Sequence, residues 1–341
     1  MMKCTKLLTI LLIALLAVGL MVGCDTLEPE PTPELPALSS ASQHMPISVN
    51  VGILRGPSGM GMAPLMAWAE DGQTRDDYHF TVGGAPEEMV AGIISGELDI
   101  AAVGVNQAAM LYERTGGDVR IISALTQSLL FVLDSTGEIN TIADLQGQTI
   151  HITGQGAIPQ FAFEHILRSN GLEPGVDVEI VFNAEHAELA ALMVAGEVGI
   201  GLLPQPFVTS VLNQSDDVTI ALDLAEEWNA VSPDSVFVQG SVVVRTEFLE
   251  ANPIPVERFL QDHAESLAFV MEHVDEAAEL MEQFDIVPAG VARQVIPISN
   301  FVYIIGAEMQ RVVDAFLTIL YDANPDTVGG RLPSAEFYFL G

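Results

Sequence analysis

The sequence is poor in cysteine and in basic residues. Only two cysteines, Cys4 and Cys24, occur among 341 residues. Twelve basic residues stand against 46 acidic ones, and the only lysines are Lys3 and Lys6. Nucleic acids and anionic membrane surfaces are bound by clustered positive charge, so the composition argues against both as partners. A solvated acidic surface is the simplest interpretation of the charge, and adaptation to a saline or acidic habitat is the alternative.

Catalytic and metal-binding motifs are also missing. The chain has no Gly-x-Ser-x-Gly elbow, no His-Glu-x-x-His and no Cys/His cluster with metal-ligand spacing. Gly56–Gly61 lacks the Lys and Ser/Thr of a phosphate-binding P-loop, and Pro159 stands where a dinucleotide fingerprint has its third glycine. We interpret Glu185, His186 and Glu188 as a solvated first helical turn, where acids are favoured, and a metal site is the alternative. We therefore expect no enzyme, no catalytic residue, no cofactor and no metal.

The one long apolar run lies at the N-terminus. Two lysines precede an uncharged stretch from Leu7 to Gly23, which is long enough for a signal peptide and marginal for a bilayer span of about 20 residues. The stretch ends in Met21-Val22-Gly23-Cys24, which resembles the bacterial lipobox, although leucine is usual where Met21 stands. We predict a signal peptide over residues 1–23 and a lipid on Cys24. A simple membrane anchor is the alternative.

Removal of the signal would also remove Cys4, so Cys24 would be the only thiol of the mature chain. Residues 24–46 follow, with prolines at 29, 31, 33 and 36 and few bulky apolar side chains. This composition predicts an extended, disordered tether between the membrane and a folded part that begins near Ile47. One acyl chain binds a membrane only reversibly, so stable anchoring would need two or more.

The folded part has about 295 residues, enough for two α/β lobes. Strand-like apolar runs alternate with helix-like stretches and Gly-rich connections, as in a mainly parallel sheet covered by helices. Predicted strands are "ISVNVGIL", "YHFTV", "LDIAAVGV" and "VRIISAL", with helices over 63–70 and 86–95 and another that opens at Asn106. A helical apolar spacing over Pro253–Phe284 predicts a core-facing helix, on which we place His263 and His273 at the surface or its boundary.

A weak internal repeat supports two similar lobes. The segment "SGELDIAAV" at 95–103 resembles "AGEVGIGLL" at 195–203, an offset of 100 residues. The segments "DVRII" and "DVTIA" follow at nearly the same offset. Chance similarity between two ordinary βαβ units is the alternative interpretation.

Two Gly-rich loops, at 55–62 and 154–157, each follow a predicted strand, at the edge where open α/β sheets bind ligands. Arg55 is the one basic residue in these loops and could pair with an anionic group, or could merely offset the acidic field. Asn106 and Gln107 open a helix and could bind a ligand. The alternative is a capping role, since Asn is a natural N-cap. Tight strand-to-helix turns without a ligand are the alternative for each glycine loop.

Several segments resemble a known family. "INTIADLQGQTIHITGQGAIPQFAFEHILRSNGLEPGVDVEIVF" and "SGELDIAAVGVNQAAMLY" resemble type II periplasmic binding proteins of ABC importers, in the nitrate, sulfonate, taurine and thiamine-pyrimidine group. The ending "VGGRLPSAEFYF" resembles the tail of a bacterial lipoprotein branch of that family. The cysteine-rich motif of the yeast pyrimidine-forming enzymes is absent, which argues against that activity.

The resemblance implies two Rossmann-like α/β lobes joined by two crossing hinge strands, near 126–130 and 237–242, that close on a ligand. Lobe 1 would be 47–127 plus 240–341, and lobe 2 would be 128–239. Trp228 could reach the cleft or lie in the core. By position, the ligand-binding residues would be Arg55, Ser58, Gly59, Met60, Gly61, Asn106, Gln107, Thr126, Gln127, Gly154, Gln155, Gly156, Ala157, Gln205 and Phe207.

The implied function is that of a monomeric, lipid-anchored solute-binding protein on the extracytoplasmic face of the cell membrane. It would capture a small molecule, anionic or heteroaromatic, and deliver it to an ABC permease and its ATPase. Two alternatives stay open at this point. One is an enzyme of the same fold that acts on a small aromatic carboxylate, and the other is a lipoprotein that presents its ligand to a sensor.

Overall fold

A computed structural model describes residues 45–127, 129–299 and 301–341, without the side chains at 57, 126 and 127. The predicted signal peptide, the Cys24 lipidation site and the predicted tether up to residue 44 lie outside the described residues. The strands are β1 (Ser48–Leu54), β2 (Asp77–Gly83), β3 (Ile100–Gly104), β4 (Val119–Gln127), β5 (Leu130–Asp134), β6 (Thr149–Ile152), β7 (Glu179–Phe182), β8 (Ile200–Pro204), β9 (Thr219–Asp223), β10 (Val238–Arg245) and β11 (Tyr303–Ile304).

Helices connect and cover these strands. They are α1 (Pro57–Glu70), α2 (Pro86–Ser95), α3 (Val105–Thr115), α4 (Ile158–Ser169), α5 (His186–Val194), α6 (Phe207–Leu212), α7 (Leu224–Val231), α8 (Thr246–Ala251), α9 (Pro253–Glu272), α10 (Val274–Gln283), α11 (Ala289–Val295) and α12 (Gly306–Ala323). Short 3-10 turns occur at Ile142–Leu145, Ile296–Ile298, Pro325–Val328 and Ala335–Phe337.

The strands form two sheets with matching topology. The first has the order β11-β4-β10-β3-β1-β2, and the second has the order β7-β6-β8-β5-β9. In the first sheet β1 is parallel to β2 and β3, while β10 is antiparallel to β3 and β4. In the second, β6 is parallel to β7 and β8, while β5 is antiparallel to β8 and β9. The predicted fold class, two α/β lobes, is confirmed. We refer to the first sheet with its helices as lobe 1 and to the second as lobe 2.

The chain crosses between the sheets twice. It leaves the first sheet after Gln127 and enters the second at Leu130. It returns between the end of α7 at Val231 and the start of β10 at Val238. The two crossings are neighbours, because Val238 is paired with Gln127 in the antiparallel register of β10 and β4.

Helix α1 begins earlier than the sequence predicts. We expected a loop over residues 55–62 and a helix from residue 63, but the helix begins at Pro57, a residue type favoured in the first helical turn. Gly59, Met60 and Gly61 therefore lie inside the helix. A Cβ atom on Gly61 would lie 2.6 Å from Leu267 Cδ2, so the small residue permits close packing against α9.

The helical pattern over 253–284 is two helices, α9 and α10, which meet at His273. Their apolar residues face the core, as predicted. The surface or boundary interpretation of His263 is wrong, because its side chain is fully buried. Its ring packs between Phe259 and Tyr303, at centroid distances of 5.8 Å and 5.2 Å.

Trp228 lies in the core, where its side chain is fully buried. Its ring centroid is 5.1 Å from that of Phe237, on the second crossing, and 5.1 Å from that of Phe316, on α12. Helix α12 also contacts β4 of lobe 1 and α4 of lobe 2. One apolar core therefore continues from lobe 1 into lobe 2 behind the crossings.

Candidate functional site

The carboxyl ends of the parallel strands carry the residues that the sequence singled out. In lobe 1, β1 ends just before Arg55 and β3 ends just before Asn106 and Gln107. In lobe 2, β6 ends before the glycine loop at 154–157, and β8 ends before Gln205. These edges are where open α/β sheets bind ligands.

Helices of the two lobes meet near these edges. Helix α6, which follows β8 in lobe 2, contacts α11 of lobe 1. Phe207 is the first residue of α6 and is half-buried. Thr126 and Gln127 are the last two residues of β4, where the chain leaves lobe 1. The two lobes are therefore joined at the crossings and touch at α6 and α11.

Arg55 forms an ion pair with Asp285, in the loop that leads from α10 towards α11. Its Nη2 atom is 2.9 Å from Asp285 Oδ2, and its Nε donates to the Asp285 carbonyl oxygen at 3.0 Å. The side chains are 48% and 88% exposed, so solvent screens the pair and its contribution to stability is small. The basic group expected to pair with an anion thus already has a carboxylate partner.

Part of the predicted ligand-binding set is wrong at the neighbouring helix start, Ser58 to Gly61. The Met60 side chain is fully buried in the core of lobe 1, so it is not available to a ligand. Gly61 faces Leu267 of α9. Ser58 is half-buried, with its hydroxyl 3.5 Å from the Leu54 carbonyl oxygen. Gly59 packs closely against the Leu54 carbonyl oxygen and Ile286.

The polar residues at the start of α3 make local contacts. Gln107 accepts a hydrogen bond from the Gly104 N–H at 3.1 Å through Oε1. Asn106 is buried, and its Nδ2 lies 3.5 Å from the Thr327 carbonyl oxygen, on the segment after α12. Asn106 therefore faces the C-terminal segment, and Gln107 caps its own helix.

The glycine loop of lobe 2 adopts the conformation that its sequence predicts. Gly154 and Gly156 have φ angles of +78° and +75°, which L-residues rarely adopt. The Gly156 N–H donates to Gln160 Oε1 at 2.8 Å. Gln155 is exposed and Ala157 is half-buried at the start of α4. The loop presents its backbone at the carboxyl end of β6, with one N–H engaged by Gln160.

Thr153, His186 and Phe207 form a cluster at the carboxyl ends of three adjacent strands, β6, β7 and β8. The Thr153 hydroxyl is 2.5 Å from His186 Nδ1, and the rings of His186 and Phe207 lie 5.1 Å apart, centroid to centroid. Burial lowers the pKa of His186 to about 4, so the imidazole is neutral at pH 7. The sequence-based interpretation of His186 as part of a solvated turn missed this cluster. Its position directly after a parallel strand was the available signal.

Gln205 has a structural role in its own segment. Its side chain is buried, and Oε1 accepts hydrogen bonds from the Thr209 N–H at 3.1 Å and the Thr209 hydroxyl at 2.9 Å. The Gln205–Pro206 peptide bond is cis. Gln205 thus fixes the start of α6, which carries Phe207.

A separate cavity of about 390 Å³ lies at the outer edge of lobe 1, near the amino end of β2. Its wall includes Glu70, Asp77 and Phe284. All its lining residues belong to lobe 1, away from the strand ends described above. Among the described residues, no group of three or more His, Cys, Asp or Glu side chains is placed to hold a metal ion. Within the same ranges, no helix is long and apolar enough to cross a bilayer.

The fold is similar to that of several solved structures. An ABC transporter structure from Parabacteroides distasonis has 23% identity and a TM-score of 0.72, covering 85% of this chain and 98% of that chain. The periplasmic aliphatic sulphonate binding protein SsuA of Escherichia coli has 17% identity and a TM-score of 0.67, covering 84% and 92%. The periplasmic nitrate-binding protein NrtA of Synechocystis has 15% identity and a TM-score of 0.60, covering 83% and 84%. At these identities the likeness shows the fold alone.

Sequence comparison gives the family. No curated protein sequence matches the chain. The family profile described as "ABC transporter, phosphonate, periplasmic substrate-binding protein" matches residues 60–290, which is more than half of the chain. This range includes both sheets except β1 and β11, together with the glycine loop of lobe 2. The chain belongs to this family of periplasmic substrate-binding proteins of ABC transporters.

Proposed function

We propose that the protein is a lipid-anchored, extracytoplasmic subunit that captures a small molecule between its lobes and delivers it to an ABC importer. The observation that carries the proposal is the family match over residues 60–290. The lipobox-like Met21–Cys24 supports the anchor, and the Pro-rich segment after it supports a tether. The receiving partner would be a membrane permease with a cytoplasmic ATPase.

The lobes would be 47–127 plus 240–341 and 128–239, with the ligand held between them. We place the ligand between the Arg55 and Asn106–Gln107 ends of lobe 1 and the Gly154–Ala157 loop and Phe207 of lobe 2. To these predicted residues we add His186, because its ring contacts that of Phe207 at the same strand edge and its Nδ1 is bonded to the Thr153 hydroxyl. Thr126 and Gln127 would line the crossing.

The mechanism would be conformational and would need no catalytic residue. A ligand that contacts both lobes binds the closed form better than the open form, and it shifts the population by that difference in affinity. The contact between α6 and α11, which belong to different lobes, supports closure at this place. A permease would then distinguish the closed protein from the open one.

Small-angle scattering tests the pocket. The full chain in detergent is mixed with a deproteinised small-molecule extract of the host culture, and the radius of gyration should decrease. The Gln155→Trp variant, at an exposed position of the glycine loop, should abolish the decrease. The control Gln146→Trp, also exposed but before the amino end of β6, should preserve it. Equal compaction in both variants would remove the glycine loop from the pocket.

Mass spectrometry of the membrane-associated protein tests the anchor. We expect a mature N-terminus at Cys24 that carries the mass of acyl chains. The Cys24→Ser variant should lose both the acyl mass and the cleavage. An intact Met1 with no acyl mass on Cys24 would contradict the anchor.

A further inference from the structure

The charge balance at the carboxyl edges of the sheets bears on the class of ligand. Arg55 is the one basic side chain among the predicted ligand-binding residues, and Asp285 forms an ion pair with it. The position of Asp285 is set by the backbone, because its φ angle is +54° and its N–H donates to the Glu282 carbonyl oxygen at 3.1 Å. The next N–H, of Ile286, donates to the Met281 carbonyl oxygen at 2.9 Å. An anion that approaches Arg55 therefore meets a carboxylate held beside it, and like charges repel.

Two backbone donors at the same edges already have internal partners. The Gly104 N–H is bonded to Gln107 Oε1 at 3.1 Å, and the Gly156 N–H is bonded to Gln160 Oε1 at 2.8 Å. Gln160 is held in this orientation, because its Nε2 donates to Glu164 Oε1 at 2.7 Å. Glu164 is in turn bonded to Arg168 at 3.1 Å. In each lobe a neutral amide oxygen takes a backbone N–H that an oxyanion would otherwise use.

The histidine that we add to the site carries no positive charge. His186 is neutral at pH 7 for the reason given above, so its ring offers a single N–H or a lone pair. Glu185 precedes it at the N-cap of α5, and Glu188 follows it in the first turn. The whole chain carries a formal net charge of −34, which slows the approach of any anion.

We propose that the ligand is a polar organic molecule without net negative charge, and that Asp285 and Gln160 set this specificity by occupying the groups that would bind an oxyanion. This inference rests on the proposed function, because it concerns the ligand of the same site. Three contacts in two lobes carry it: Asp285 on Arg55, Gln107 on Gly104 and Gln160 on Gly156. A neutral or cationic polar group can bond to His186 without displacing any of these three contacts.

The first test uses the full chain in detergent and an extract separated by anion exchange. The unretained fraction holds neutral and cationic molecules, and the retained fraction holds anions. The midpoint temperature of thermal unfolding should rise with the unretained fraction only. A shift with the retained fraction only would overturn the inference and leave the proposed function intact. No shift with either fraction would contradict the proposed function, and the inference with it.

The second test uses methylphosphonate, methanesulfonate and nitrate as probes in titration calorimetry. The wild-type chain should bind none of them more tightly than in the millimolar range. The double variant Asp285→Asn with Gln160→Ala should bind methylphosphonate at least about tenfold more tightly, a change of about 1.4 kcal/mol. Micromolar binding of a probe by the wild type, or no gain in the double variant, would overturn the assignment.

A matched control separates specificity from general charge or packing effects. The control is the double variant Asp275→Asn with Gln214→Ala. Asp275 forms a surface ion pair with Arg293, and Gln214 donates a hydrogen bond to the Ser210 carbonyl oxygen. This double variant should bind methylphosphonate with the same affinity as the wild type. An equal gain in the control would show that net charge alone governs the probe, against the proposed roles of Asp285 and Gln160.

Discussion

The rings of Trp228 and Phe316 lie 5.1 Å apart, centroid to centroid, and join α7 of lobe 2 to α12. Phe237 completes the group, at 5.1 Å from Trp228 and 5.7 Å from Phe316. We call these three residues the aromatic junction. All three are nearly or fully buried, so the junction holds the two lobes together behind the crossings by apolar packing.

We expect Phe316→Ala to lower the free energy of unfolding by about 3–5 kcal/mol, because it leaves a cavity against Trp228 and Phe237. Urea unfolding followed by Trp228 fluorescence measures this free energy. The measurement uses a Trp68→Phe background, because the chain has two tryptophans and only the signal of Trp228 is wanted. Phe269→Ala is the control, because Phe269 is only half-buried. An equal loss in both variants would contradict a special role for the junction.

His263 should limit stability at neutral pH. Its ring is fully buried, and neither ring nitrogen has a hydrogen-bond partner among the described residues. Buried polar atoms without partners cost free energy, so His263→Leu should raise the free energy of unfolding by about 1 kcal/mol or more. Chemical denaturation near pH 7.5 measures it. A loss of stability would show that the ring packs better than its unpaired nitrogens suggest.

The same residue predicts sensitivity to acid. Burial lowers the pKa of His263 to about 3, whereas an unfolded histidine titrates near pH 6.5. Between these values only the unfolded state takes up the proton, so stability falls as the pH decreases, by up to about 1.4 kcal/mol per pH unit. Both His263→Leu and His263→Gln should flatten this dependence. Only the leucine variant should also stabilise the protein at neutral pH, which separates titration from polarity.

Substitution by alanine should have opposite effects on stability at two helical glycines. A Cβ on Gly59 would lie 2.6 Å from the Leu54 carbonyl oxygen, a backbone atom, so Gly59→Ala should cost about 1–3 kcal/mol. A Cβ on Gly290, in α11, would have no atom within 4 Å, so Gly290→Ala should stabilise by about 0.4–1 kcal/mol. Thermal unfolding compares both. Stabilisation by Gly59→Ala would contradict the close packing of α1 on β1.

His186 should remain neutral over most of the physiological range. Its pKa of about 4 predicts that its NMR ring resonances do not shift between pH 5.5 and 8 in the folded protein. In urea the same ring should titrate near pH 6.5, which serves as the control. A folded-state midpoint near 6.5 would show that His186 is solvated, as the sequence alone suggested, and would remove the buried cluster with Thr153 and Phe207.

Local signals in the sequence were enough to predict most of the fold. Helix α2 has the bounds that were predicted, Pro86 to Ser95, because proline suits its first turn and Gly96 ends it with a φ angle of +79°. The strands were found from apolar runs between glycine-containing loops. Helix α1 was predicted too short, because Gly59 and Gly61 have low helix propensity and are helical here through packing on Leu267 and Ile286.

The candidate site was less predictable, because its contacts are not local. Arg55 and Asp285 are 230 positions apart, and nothing near Arg55 in the sequence indicates its partner. His186 was hidden by the acids beside it, which are typical of a solvated helix start. Its contacts with Thr153 and Phe207 depend on the order of strands in the second sheet. The position of the glycine loop of lobe 2 followed from the sequence, but Gln160 as the partner of its Gly156 N–H did not.

The beginning of the folded chain lies far from the strand end that precedes Arg55. The Ile47 N–H donates to Asp76 Oδ1 at 3.0 Å, beside the amino ends of β1 and β2. The seven residues of β1 run from this point to Leu54, a distance of about 20 Å. The chain therefore enters lobe 1 at the sheet edge opposite to the strand ends that precede Arg55 and Asn106.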